Sequence, residues 1–163
     1  MNEQPKNELS TFLAEQYTAE LSAYRAVLDS FPEAEFSAAT LGHAPAWHAL
    51  HIADWLRLTA LQDRTPNYHH LGWEDRDWVQ NLGSEPSPTD ETAGKAGVLA
   101  RLDDISAQTL AFLQGMTPSD LGGMTFSPSA PGGERPILAA LGLHLRHIGY
   151  HRGQLQLIKK VDA

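Results

Sequence analysis

The chain has 163 residues, 42% of them hydrophobic, and a formal net charge of −8. That length and composition predict a single folded domain over 1–163 with a sizeable core, and the acidic balance argues against a nucleic acid or an anionic membrane surface as partner. There is no cysteine, so the chain has no disulfide, no thiolate metal ligand and no catalytic thiol of its own.

No apolar run approaches the roughly 20 residues that span a bilayer. The start, Met1-Asn-Glu-Gln-Pro-Lys6, lacks the apolar stretch of a signal peptide, which predicts a cytoplasmic protein.

The first predicted helix runs from Glu8 to Ser30, with Leu9, Phe12, Leu13, Gln16, Glu20, Tyr24, Val27, Leu28 and Phe31 along one face. Glu20 interrupts that face. It reads either as a wet carboxylate at the core boundary or as an acceptor that orients a metal-bound imidazole. Phe31-Pro32 ends the helix.

Pro45 opens a second helix that runs through Leu58. Trp47, His51, Trp55 and Leu58 share a stripe, with Leu50 beside it. His51 therefore points inward, with a tryptophan one turn to either side. His48 competes for that role from a position rotated by roughly 60°. Asp54 reads as a group orienting an imidazole, as a fourth ligand, or as a solvated helix position.

Residues 62–88 form a connection long enough to suggest a function. It carries Tyr68, His69, His70, Trp73 and Trp78. The part from Trp73 to Leu82 reads as a short helix across a pocket mouth, or as a cover packing its aromatics on the core. Neighbours on an extended chain point opposite ways, so His69 and His70 do not read as ligands.

Ser87 to Glu91 supplies cap residues and acids for a third helix that runs to Leu113 and offers no histidine. A second long loop follows, with a short strand at Met124–Phe126 and a turn at Gly132-Gly133.

Pro136 opens the fourth helix. Ile137, Ala140, Leu141, His144, His147, Ile148, His151, Leu155 and Ile158 recur at helical spacing, and Lys159 and Lys160 suit the last turn. His147 and His151 stand roughly 40° apart around the axis and one turn apart along it, so two imidazoles can grip one ion. His144 shares the face but lies roughly two turns from His151. A buried imidazole needs a partner, and a hydrogen-bonded core role is the plainer alternative. His51 supplies a third ligand, and three protein ligands with one open position make a catalytic zinc-type set. Imidazoles suit zinc or nickel better than magnesium. Such an ion acidifies a bound water or thiol. Gln154, His48, His144 and Asp54 are the available supporting groups.

Gly142, Gly149 and Gly153 lie within roughly 40° of one another on the far side of this helix, near Ala139 and flanked by Leu138 and Leu145. Close approach of another helix explains them. That helix belongs either to the same bundle or to a second copy, and the second option predicts a symmetric homodimer.

Four helices and two long connections predict an all-α four-helix bundle with ligands inside it. The chain resembles the DinB/YfiT-like family. The resemblance rests on Trp47-His-Ala-Leu-His51-Ile-Ala-Asp-Trp55 in the second helix and His147-Ile-Gly-Tyr-His151-Arg-Gly-Gln154 in the fourth. Order and loop pattern agree along nearly the whole chain. The resemblance implies an up-down-down-up bundle, often dimeric, with a divalent ion on His51, His147 and His151. It also implies transferases or isomerases that use a small thiol such as mycothiol, bacillithiol or glutathione. The family name implies no DNA binding.

Three functions follow from these readings: a metal-dependent enzyme transferring a small thiol, a metal-dependent hydrolase, and a stress-related metal-binding protein without turnover. An anionic thiol calls for a basic pocket, for which Arg57, Arg76, Arg135 and Arg152 are available.

Overall fold

The computed structural model describes residues 7–162. Helix α1, Glu8–Asp29, starts where the Asn7 side chain accepts from the Ser10 N–H at 3.3 Å. A single turn, α2, Glu33–Phe36, leads to α3, Pro45–Thr59. The connection after α3 contains the short helix α4, Asp77–Gln80. Then come α5, Gly94–Gln114, the turn α6, Pro118–Leu121, and a hairpin of β1, Met124–Phe126, with β2, Glu134–Pro136. Helix α7, Ile137–Asp162, is the last of the described elements.

Two predicted helix starts move. Asp90 does cap a turn, but only a 3-10 turn over Glu91–Ala93. Gly94 then takes φ 77, which breaks that turn from α5. The α5 start is capped from a distance instead, by Glu33, whose carboxylate accepts from the Lys95 N–H at 3.2 Å. Pro136 pairs with Met124 as the last residue of the hairpin, and α7 begins one residue later.

The long helices form a bundle in which α1 packs on α5 and α7, and α3 packs on the same two. Their directions follow from the partners. Along α1 and α7, Tyr17 bonds the Leu141 carbonyl and Ser30 accepts from Lys159, so residue numbers rise together and the helices are parallel. Along α1 and α5, Ser10 bonds the Leu113 carbonyl and Arg25 meets Asp103, so numbers run oppositely. His48 lies against His151 and Trp55 against His144, so α3 opposes α7. The order is up-down-down-up.

The core takes Tyr17, Leu21, Tyr24 and Leu28 from α1, with apolar residues of the other three long helices closing on them. Helix α3 departs from its amphipathic reading, because every one of its residues is buried. The bundle covers one side of it. The long connection covers the other, in a second cluster of Trp55, Leu58, Tyr68, Leu71 and Val79. A helix enclosed on all sides needs no polar face.

Glu20 sits at the core boundary, as its plainer reading has it, with its side chain 23% exposed, and it orients no imidazole. Its carboxylate accepts from Arg152 Nε at 2.8 Å, tying α1 to α7. A Cβ at Gly149 would stand 3.2 Å from that carboxylate, so Gly149 makes room inside the same chain. A Cβ at Gly142 or Gly153 would meet nothing within 4 Å among the described residues, which splits the predicted glycine line between an inner and an open position. No helix among the described residues is long and apolar enough to cross a membrane.

Candidate metal centre

Antiparallel packing of α3 on α7 brings His51 against His147 and His151. His147 Nε2 lies 3.0 Å from His51 Nε2 and 3.0 Å from His151 Nε2. The three ligand atoms all lie within 4.8 Å of one another. One proton on His147 Nε2 can bond only one of its two neighbours, so imidazoles alone leave this contact unsatisfied. Three ring nitrogens gathered at one point suit a cation once each presents a lone pair.

The tautomers support that arrangement. His51 Nδ1 stands 2.6 Å from the His70 carbonyl, which can only accept. The proton is therefore on Nδ1, and Nε2 presents its lone pair to the other two histidines. His151 Nδ1 lies 2.8 Å from His48 Nδ1. A proton given from His151 to His48 across that contact leaves His151 Nε2 bare as well. Outer partners of this kind hold ligand imidazoles in place.

Burial pushes His147 down to about 4. Burial, then His147 and the nearby His48 and His43, push His151 down to about 3. Burial and the neighbouring imidazoles hold His51 well below its ordinary value. All three are neutral at neutral pH, the state in which imidazole binds metal.

Aromatic stacking stiffens the wall. Trp47 lies between His43, at 3.5 Å and 10°, and His51, at 4.4 Å and 18°. Trp55 stacks on His144 at 5.5 Å, and its indole N–H donates to the Leu71 carbonyl at 2.9 Å. Consecutive carbonyls of the long connection thus accept from side chains one turn apart on α3. A Cβ at the next residue, Gly72, would sit 3.7 Å from the His51 ring.

The predicted supporting groups separate. His48 touches His151 as described. Gln154 donates to the Tyr150 hydroxyl at 3.1 Å, and its buried Oε1 finds no partner among the described residues. His144 borders the centre with its Nδ1 buried and without a partner among the described residues, and burial pushes it down to about 3. Asp54 is not a fourth ligand. Its carboxylate accepts from Arg57 Nη1 at 3.3 Å and lies 3.7 Å from His70 Nδ1. Helical rotation carries it away from His51 and toward the connection.

An open cleft of about 900 Å³ adjoins the histidines. None of the four arginines expected in a basic pocket lines it. Arg57 is buried among Asp54, Asp63 and Asn67 and lies 4.0 Å over the Tyr68 ring. Arg152 is held by Glu20, Arg135 reaches Ser127 at 3.4 Å, and Arg76 is exposed elsewhere. Arg146 lines the cleft instead.

The connection acts as the predicted cover, and its short helix α4 does not lie across the cleft, which is lined instead by the residues just before it, Leu71 to Glu74. Trp73 stands at the mouth, while Trp78, Val79 and Leu82 pack on the bundle. Side-chain reasoning set His70 aside, and its ring indeed faces Asp54. Its main-chain carbonyl is what meets His51, and the length of the connection was the sequence signal for such a contact.

Fold and site together define a helical bundle with a buried three-histidine group between its second and fourth long helices. The model of the DinB superfamily matches residues 16–155, and the chain belongs to that superfamily. Comparison with curated proteins and with solved structures found no significant match in either.

Proposed function

We propose that His51, His147 and His151 hold a divalent cation, zinc or nickel, and that the protein is a metal-dependent enzyme transferring a small thiol to an organic substrate in the cleft. The observation that carries this reading is the convergence of the three Nε2 atoms, with the His51 tautomer set by the His70 carbonyl. Bound there, the ion supplies the charge that acidifies a thiol or a water. The chain's part is to keep three imidazoles neutral and aimed at one point, through burial and through His48 and His70. The chain has no cysteine, so the thiol enters as a cosubstrate. The proposed setting is the cytoplasm, where thiols are kept reduced, and the proposed assembly is a homodimer.

One observation favours a second reading, a metal-dependent hydrolase. The four arginines that would have received an anionic thiol lie outside the cleft, and Arg146 alone lines it. Elemental analysis of the purified protein comes first, followed by transfer assays with mycothiol, bacillithiol and glutathione and by ester and amide hydrolysis assays. Stoichiometric metal with thiol transfer supports the first reading. Hydrolysis without thiol supports the second. Metal without either activity leaves a binding protein, and absence of metal after loading with zinc or nickel overturns both enzymes.

A further inference from the structure

Two aromatic side chains in the cleft are not used by the bundle. Trp73, on the connection after α3, is 58% exposed, and Tyr150, on α7, is 63% exposed; both line the cleft. Large apolar surfaces left in water forgo the gain of burial. Trp73 does so from a backbone at φ 53, a conformation that bulky side chains rarely adopt and that clusters at ligand sites.

Both rings are braced without being stacked. Trp73 meets Trp78 at 6.2 Å and 74°, and Tyr150 meets His151 at 5.3 Å and 88°. A near-perpendicular neighbour sets the orientation of a ring and leaves it without a parallel partner. The cleft's other tryptophans differ, because Trp47 and Trp55 are already stacked on histidines.

The cleft's charge does not choose a ligand. Among the described residues lining it, Glu74 and Arg146 carry the formal charges, and they cancel. Its volume of about 900 Å³ suits a small organic molecule. Ring surface, not charge, is what it offers.

We propose that the organic substrate of this site is a planar aromatic compound, bound by stacking on Trp73 and Tyr150 beside the three histidines. The proposal rests on the cleft being the substrate site of the reading above. Ring binding itself needs no ion, so the two can fail separately.

The test is calorimetric titration of the full chain, freed of metal by chelation, with 2-naphthol and with its saturated counterpart decahydro-2-naphthol, two neutral bicyclic alcohols of related size. We expect 2-naphthol to bind about tenfold more tightly, as stacking on two aromatic rings would give. Trp73→Asn, which tolerates the left-handed backbone, and Tyr150→Leu should each cut that preference about threefold. Raising the salt should leave it unchanged. Absence of 2-naphthol binding, equal affinity for the two probes, or an unchanged preference in either variant overturns the proposal. Zinc titration of the same preparations separates the claims. Zinc binding without an aromatic preference removes this proposal alone, and an aromatic preference without zinc binding removes the metal reading while the aromatic site stands.

Discussion

His51 Nδ1 and the His70 carbonyl stand 2.6 Å apart, and that hydrogen bond joins the middle of α3 to the connection that covers it. It decides where the His51 proton sits and therefore which nitrogen faces His147 and His151. A main-chain acceptor cannot rotate away as a side chain can. The connection thus acts as part of the histidine centre without contributing a ligand atom.

The three-histidine centre makes metal content the first measurable quantity. His51→Ala, His147→Ala and His151→Ala should each sharply reduce zinc or nickel by elemental analysis while the helical circular dichroism spectrum survives. Full stoichiometric metal in His147→Ala would sink the assignment. Chelation of the wild type should lower its melting temperature, because an ion that binds only the folded state stabilises it by mass action.

His48 should matter without being a ligand. His48→Ala removes the partner of His151 Nδ1 at 2.8 Å and should weaken metal binding by about 10- to 100-fold. His48→Gln, which can still accept a hydrogen bond, should recover part of that loss. Equal affinities in wild type and His48→Ala would show that His151 needs no support from this side.

The pH dependence of the metal-free protein has a definite sign. Unfolded histidines titrate near 6.5, whereas burial pushes His48 and His147 down to about 4 and His144 and His151 down to about 3. Between those values the unfolded chain binds more protons, so stability rises with pH there. It should be fully present above about pH 6.5 and fall steadily toward pH 4. Urea midpoints at neutral and mildly acidic pH measure this, and a flat profile would contradict the burial of these rings as neutral groups. Proton competition for metal in the folded protein should likewise set in below the ordinary histidine range.

Arg57 is a further tie between α3 and the connection. Arg57→Ala would leave Asp54 buried without its cation, a change that costs about 3–5 kcal/mol when a buried pair is broken. Because Asp63, Asn67 and Tyr68 also lose their hold, the carbonyl of His70 should loosen and metal affinity should fall with stability. A stability loss with unchanged metal affinity would mean that His70 is held by other contacts.

The homodimer proposal is best tested away from Gly149, which faces Glu20 of its own chain. Gly142→Leu and Gly153→Leu enter open space on α7 and should shift a dimer toward monomer in sedimentation with metal content intact. A wild-type monomer at high concentration would dispose of the interface.

Much of the molecule was legible from local pattern. The four long helices, the strand at Met124–Phe126 and the Gly132-Gly133 turn follow from periodicity, proline and glycine, which act within a few residues. His147 and His151 could be paired because four residues make about one helical turn. The third helix start was misread because the Asp90 signal is local, whereas the true cap, Glu33, lies 62 residues away in sequence.

The choice of residues for the centre is a local matter, since helical spacing puts His51, His147 and His151 on inward faces whatever the helices pack against. Their company came from packing between distant segments. Antiparallel packing of α3 on α7 set His48 against His151, and the path of the connection set the His70 carbonyl on His51 and carried Asp54 to Arg57. The same packing left Arg146, rather than the four expected arginines, in the cleft. Such choices depend on contacts between segments distant along the chain, and a main-chain carbonyl, which every residue carries, leaves no mark in the sequence of side chains.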